Sequence, residues 1–155
     1  MDNQSEDFSV AVIIVGAEGV PVVKEPYEDN SRQRLWKFPG GHGREGETPQ
    51  KAAVREVLEE TNIEIFEKEI ELLFVEMRDN PVSHKFYLFF VDISSVCLLD
   101  RCKRFLLGDG ITREEVKIVK LSDIKESIEL SSHKRLLDLI FVQRRLDESI
   151  KMFQG

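Results

Sequence analysis

At 155 residues the chain is long enough for one domain with a real core and too short for two ordinary ones. Its 41% hydrophobic and 33% charged residues suit a globular protein, and its apolar runs reach strand length only, which argues against a membrane span. The net charge of −7 argues against duplex nucleic acid as a partner, because a phosphate backbone wants a basic surface.

The opening MDNQSEDF is acidic and polar and lacks the basic and apolar regions of a signal peptide. The protein is therefore read as cytoplasmic, as a single domain over 1–155, with residues 1–6 disordered. Phe8 to Gly16 is a β-branched apolar run and reads as a buried strand; Ala17-Glu18-Gly19 turns it, and Val20 to Lys24 reads as its hairpin partner. Glu25 to Arg34 is polar and reads as a loop, and Trp36 to Phe38 as a short strand leading into Pro39 and a glycine-rich loop from Gly40 to Glu47. Thr48 is a natural N-cap with Pro49 in the first turn, so a helix is expected from Pro49 to Thr61.

Beyond the helix, Ile63 to Phe66, Ile70 to Met77 and the aromatic-rich His84 to Ile93 read as strands, with a turn at Asp79-Asn80-Pro81. Ser94 to Arg113 is hard to read, and Gly108-Asp109-Gly110 suggests a mobile loop. Glu115 to Leu121 looks like a last strand, and Ser122 to Ser127 like one or two helical turns. Ser131 or Ser132 is expected to cap a final helix to Phe153, its apolar face made by Leu136, Leu139, Ile140, Leu146, Ile150 and Phe153. Cys97 and Cys102 have no further cysteines to complete a zinc set and read as reduced, packed thiols. This order of elements suggests a mixed sheet between helices.

The helix carries the chemistry. Glu56, Glu59 and Glu60 are spaced i, i+3, i+4 and share one face, with Ala52 a turn earlier leaving room, while Val54, Val57, Leu58 and Thr61 point to the core. Read alone, Arg55-Glu56-Val57-Leu58-Glu59-Glu60 is equally a solvated acidic face. Three carboxylates beside a glycine loop also suit a hard divalent cation and the cleavage of a phosphoanhydride.

The longer pattern separates these readings. Gly41, five residues, Glu47, seven residues, Arg55-Glu56-Val57, one residue and Glu59-Glu60 resembles the Nudix box, the signature of the Nudix hydrolases. At average residue usage, six such matches at fixed spacing arise by chance about once in ten million start sites. Leu35-Trp36-Lys37-Phe38-Pro39-Gly40 resembles the usual lead-in. Asn62 stands where the family has a glycine in a left-handed conformation, and asparagine is the next-best residue for it.

The resemblance implies the Nudix fold, an α/β/α sandwich around a mixed β-sheet, and Mg²⁺- or Mn²⁺-dependent hydrolysis of a nucleoside diphosphate linked to another moiety. It implies that Glu56, Glu59, Glu60 and the carbonyl of Gly41 are metal ligands, and that Glu47 and Arg55 tie loop to helix through a salt bridge. The general base stays open between Glu56 and Glu59, with Glu114 and Glu115 as outside candidates. His42 reads as an exposed loop residue that also lies near enough to meet a phosphate, and His84 and His133 read as structural. Tyr27, Trp36 and Phe86 are candidates to stack a base, though aromatic residues in strands are more often core; Arg32, Arg34 and Lys37 are placed to offset the acidic field.

Substrate choice lies outside the box. Pro81 and Tyr87 sit too late for the marks of the family's ADP-ribose and dinucleoside polyphosphate hydrolases. A compact chain resembles the group acting on nucleoside triphosphates, including oxidised ones. The alternatives are an ADP-ribose or nucleotide-sugar pyrophosphatase, or a non-catalytic nucleotide-binding module. The expected partner is a small-molecule nucleotide, with no duplex nucleic acid and no membrane, in a monomer or homodimer.

Overall fold

A computed structural model describes residues 7–24, 34–79, 82–102 and 115–154. Residues 1–6, Tyr27, Arg32, Pro81, Glu114 and Gly108-Asp109-Gly110, all discussed above, lie outside the described residues. The strands are β1 (Phe8–Gly16), β2 (Val20–Lys24), β3 (Trp36–Lys37), β4 (Gly40–His42), β5 (Ile70–Arg78), β6 (His84–Ile93) and β7 (Glu115–Val119). The helices are α1 (Pro49–Thr61), α2 (Ile124–Ser127), α3 (Ser131–Leu136) and α4 (Ile140–Gln154).

The β-branched run of β1 sits inside a mixed four-stranded sheet of order β4-β1-β6-β5. It runs parallel to β6 along its whole length, from Phe8 opposite Lys85 to Gly16 opposite Ile93. It is antiparallel to β4, with Val10 opposite Gly41 and Ala11 opposite Gly40. A strand buried on both faces reads as a continuous apolar run, and its alternation sorts side chains between two cores. Val10, Val12 and Ile14 meet Ala52, Ala53 and Val57 of α1. Ala11, Ile13 and Val15 meet Val20 and Val22 of a second sheet, together with Leu136, Leu137, Val142 and Leu146 of the C-terminal helices. The mixed sheet thus lies between α1 on one face and the second sheet with the terminal helices on the other, the α/β sandwich expected.

Several expectations need correction. Val20–Lys24 is not the hairpin partner of β1. The two touch at one bridge, Gly16 to Gly19, and β2 then pairs with β3 and β7 in the three-stranded sheet. Glu18 fixes this divergence: its carboxylate accepts from the Leu98 amide at 2.7 Å and from Cys97 Sγ at 3.1 Å. Ile63 to Phe66 is not a strand. Its alternation is real, burying Ile63 and Ile65, but it pairs only at a bridge from Ile63 to Cys102 before a 3-10 turn, Glu67–Glu69. Gly40 to His42 is a strand rather than loop. The strand at Glu115 ends at Val119, and a 3-10 turn, Leu121–Asp123, follows.

The final helix is two helices. Leu137, Asp138 and Leu139 each donate to a carbonyl three residues back, at 3.1 to 3.2 Å, which tightens the chain and rotates it before α4 begins. That rotation buries Leu136 and Leu137 together with Val142 and Leu146, and it leaves Ile140 61% exposed rather than on the apolar face. The N-cap of α3 is Leu130, so neither serine caps it. The side chains of Ile150 and Phe153 lie outside those described. Cys97 and Cys102 are free and half-buried. Among the described residues no helix is long and apolar enough to cross a membrane.

Helix α1 has the expected ends. Thr48 Oγ1 accepts from the Lys51 amide at 3.1 Å, and Asn62 ends the helix at φ 63°, ψ 14°, its amide donating to Leu58 O. Because only glycine, and less readily asparagine, tolerates that backbone, Asn62→Gly should leave stability within about 0.5 kcal/mol, whereas Asn62→Val should cost about 1–2 kcal/mol. Urea denaturation of both variants tests this; equal effects of the two substitutions would contradict it.

Candidate active site

The flank of α1 that carries Glu56, Glu59 and Glu60 does not face open solvent. Ala52 at its head is fully buried in the α1 core, not a roomy gap on the carboxylate face, and Glu60 at its foot is 6% exposed; Glu59 alone is exposed. The flank lies against β4, the edge strand of the mixed sheet. Glycine makes this approach possible: a Cβ on Gly41 would stand 2.8 Å from the carboxyl atoms of Glu56. The Gly40 amide donates to Glu60 Oε1 at 2.8 Å, which fixes helix and strand in register.

Arg55 organises the rest. Its Nε and Nη2 donate to the two oxygens of Glu47 at 2.7 and 2.9 Å. Its Nη1 donates to Glu56 Oε1 at 2.9 Å and to Glu59 Oε1 at 3.0 Å, and Nη2 also to the His42 carbonyl at 3.1 Å. All five guanidinium donors are thereby used. Glu47 Oε1 accepts in addition from the Arg44 amide at 2.9 Å, and the turn is completed by Gly46 at φ 80°. The predicted Glu47–Arg55 link is therefore present as a two-pronged pair with both side chains largely buried. Hydrogen bonds from Arg55 hold the Glu47 carboxyl below its ordinary pKa, and the same contact raises the guanidinium's. Burial pushes the Glu56 carboxyl above the usual carboxylate range, against the pull of Arg55.

Among the described residues no three His, Cys, Asp or Glu side chains are gathered closely enough to hold an ion. The reason is visible: Arg55 engages Glu56 and Glu59, Arg44 Nη2 reaches Glu59 Oε2 at 3.3 Å, and Glu60 turns to the Gly40 amide. The donor set still fits a hard divalent cation. It consists of carboxylate oxygens beside a strand backbone that no side chain shields, and Arg55 takes only Oε1 of Glu56.

On the other side of β4 lies a cleft of about 190 Å³, lined by Lys37, Gly40, Gly41, Arg78, Phe86 and His133 among others. Phe86 is core at 1% exposure, and Trp36 is half-buried with Lys117 Nζ 4.2 Å from its ring centre. His42 is exposed, its ring 5.7 Å from that of His84. His84 is buried and donates from Nδ1 to the Val82 carbonyl at 2.8 Å. Arg34 pairs with Glu115, so this outside candidate for the base is engaged away from the box. Three participants escaped the sequence reading: Arg44, Arg78 and the cleft-lining role of His133. Only Arg44, inside the glycine loop, carried a signal that would have found it.

A model of the NUDIX domain matches residues 6–139. Among curated proteins, no significant match is found. Similar solved structures include MutT from Aliivibrio salmonicida and Vibrio cholerae, at 20% identity over 90% of this chain and 99% of that one, TM-score 0.61. A bifunctional NMN adenylyltransferase/ADP ribose pyrophosphatase from Francisella tularensis, complexed with AMP and a Mn ion, matches at 19% identity over 96% of this chain and 43% of its own, TM-score 0.60. The E. coli dihydroneopterin triphosphate pyrophosphohydrolase matches at 17% identity over 83% and 90%, TM-score 0.55.

Two outcomes follow from the geometry. Arg55 and Glu47 are only 16% and 14% exposed, so Arg55→Ala strands buried carboxylates and should cost about 3 kcal/mol in urea unfolding; a loss under about 1 kcal/mol would show that the clasp holds nothing. His133 is 6% exposed, and burial, followed by the charges of Lys37 and Arg78, lowers its pKa to about 3. Its folded pKa is depressed, so the unfolded chain binds the extra proton below pH 6.5. Stability should therefore fall as pH drops from 6.5 towards 3, by up to about 1.4 kcal/mol per unit. His133→Asn keeps an acceptor for the Phe38 amide, which donates to His133 Nδ1 at 3.1 Å, and should flatten that slope; an unchanged slope would assign it to other groups.

Proposed function

The chain belongs to the NUDIX domain family, hydrolases acting on acid anhydrides, and from that premise we propose that it cleaves a phosphoanhydride bond in a nucleoside triphosphate or oxidised nucleotide, using Mg²⁺ or Mn²⁺. The observation that carries this reading is the contact of the α1 carboxylate flank with strand β4 at Gly41, where no side chain intervenes. Glu56, Glu59, Glu60 and the Gly41 carbonyl would hold the ion. Bound there, it supplies positive charge against phosphate oxygens and acidifies a water.

The chain's own groups do the remaining work. Glu56, half-buried beside Gly41, accepts the proton of the attacking water, and Glu59 is the second candidate for that role. Arg55 keeps the carboxylates and the loop in one arrangement, so that little reorganisation accompanies the reaction. Lys37, in the adjoining cleft, brings a cation to a phosphate that the acidic surface would otherwise repel.

The substrates named for the similar structures, ADP-ribose and dihydroneopterin triphosphate among them, share a pyrophosphate bond joined to a heterocycle-bearing group. A cleft of about 190 Å³ beside the carboxylates accommodates one ring system while the phosphates lie over β4.

A panel of nucleoside triphosphates, oxidised nucleotides, ADP-ribose and nucleotide sugars, assayed for phosphate or pyrophosphate release with Mg²⁺ and Mn²⁺, tests the reading. Glu56→Gln and Glu60→Gln should each lower kcat by about 10²–10⁴-fold. Activity in Glu60→Gln with undiminished metal dependence would refute the assignment, and tight nucleotide binding without any product would make the protein a sensing module.

A further inference from the structure

A second guanidinium besides that of Arg55 touches the carboxylate flank. Arg44 stands in the glycine loop, and its Nη2 lies 3.3 Å from Glu59 Oε2. Arg55 Nη1 takes the other oxygen of the same carboxylate at 3.0 Å. Both oxygens of Glu59 therefore face a guanidinium, whereas Arg55 takes Oε1 of Glu56 alone. A hard divalent cation binds through carboxylate oxygens, so at Glu59 it meets a positive charge on either side.

The two arginines are held very differently. Arg55 is 16% exposed, and its donors reach the loop, the strand and the helix. Withdrawing it would leave buried carboxylates unpaired. Arg44 is 65% exposed and Glu59 46%. The Arg44 guanidinium makes no other hydrogen bond to a described residue. At 3.3 Å its contact is longer than any that Arg55 makes, and an exposed ion pair of this kind gives way to water at little cost. The backbone at Arg44 is fixed from both sides. Its amide donates to Glu47 Oε1 at 2.9 Å, and its carbonyl accepts from the Glu47 amide at 3.0 Å. The side chain can thus leave Glu59 by rotamer changes alone, with the loop and the Glu47–Arg55 clasp in place.

We propose that Arg44 is the counter-cation that a divalent ion replaces: its guanidinium keeps Glu59 Oε2 aimed along the flank until the ion takes that oxygen, so that metal binding is an exchange of one cation for another. Arg44 is then a positioning residue that acts through Glu59 and sets how much metal the site needs. The inference deepens the reading of the flank as a metal site and rests on it, and the two are separable by experiment.

Titration of the metal-free protein with Mn²⁺, followed through the paramagnetic resonance of the free ion, reads affinity without nucleotide or turnover. Arg44→Gln should bind Mn²⁺ about two- to fivefold tighter than the unmodified protein, the factor that an exposed ion pair carries. The gain should shrink in about 1 M salt, where charges are screened beyond about 3 Å. Arg44→Lys, which keeps a cation on the same backbone, should return most of the way to the original affinity. In a Glu59→Gln background, Arg44→Gln should lose most of its effect, because the pair that it breaks is already gone. Unchanged or weaker Mn²⁺ binding in Arg44→Gln would overturn the proposal. An equal gain in both backgrounds would reduce Arg44 to one charge in the general field and overturn it too. Mn²⁺ binding that ignores Arg44 would leave the hydrolase reading standing and sink this inference alone. The predicted affinities without hydrolysis of any nucleotide in the panel would do the reverse, and no Mn²⁺ binding by the unmodified protein at millimolar concentration would sink both.

Discussion

Five hydrogen bonds from one guanidinium hold this site together. Arg55 joins the loop at Glu47, the strand at the His42 carbonyl, and the helix at Glu56 and Glu59. Without it, carboxylates would be left facing one another in partly desolvated surroundings, where like charges are costly. With it, an acidic flank is stable against a strand edge. The arrangement is self-consistent only because Gly41 has no side chain to keep the Glu56 carboxyl away.

That edge is positioned by the interior of the molecule. β4 is three residues long and has no core of its own; it is held by pairing with β1, which is buried on both faces and aligned with β6 over nine residue pairs. The same β1 alternation that seats α1 on one face seats the C-terminal helices on the other. The site therefore has two halves on either side of one short strand: the carboxylates from α1, and a cleft closed by Phe86 and His133. Gly40 and Gly41 border both, so the two halves adjoin along one strand.

Much of this was readable in the sequence, for physical reasons. The α1 boundaries came from local signals: a threonine that caps, a proline suited to the first turn, and an asparagine that tolerates a left-handed backbone. The strands β1 and β6 showed as apolar runs because both are buried on two sides. Pairing was not readable. Val20–Lys24 follows β1 after a tight turn, yet it joins another sheet, because alternation says which side chains are buried and not which strand is the neighbour. The break at residues 137–139 was hidden for a similar reason: an unbroken leucine-rich run fits one helix as well as two, and only the need to bury both Leu136 and Leu137 decides. Arg78 gave no signal at all, since an arginine ending an edge strand is ordinary until the Phe86 ring beneath it is seen.

The account turns on whether the α1 flank and β4 together hold a cation. Crystals of the protein soaked in Mn²⁺ and measured at the manganese absorption edge locate the ion directly by its anomalous signal. The account predicts a peak among Glu56, Glu59, Glu60 and the Gly41 carbonyl. A peak elsewhere, or none while Arg55 still spans Glu56 and Glu59, would contradict it.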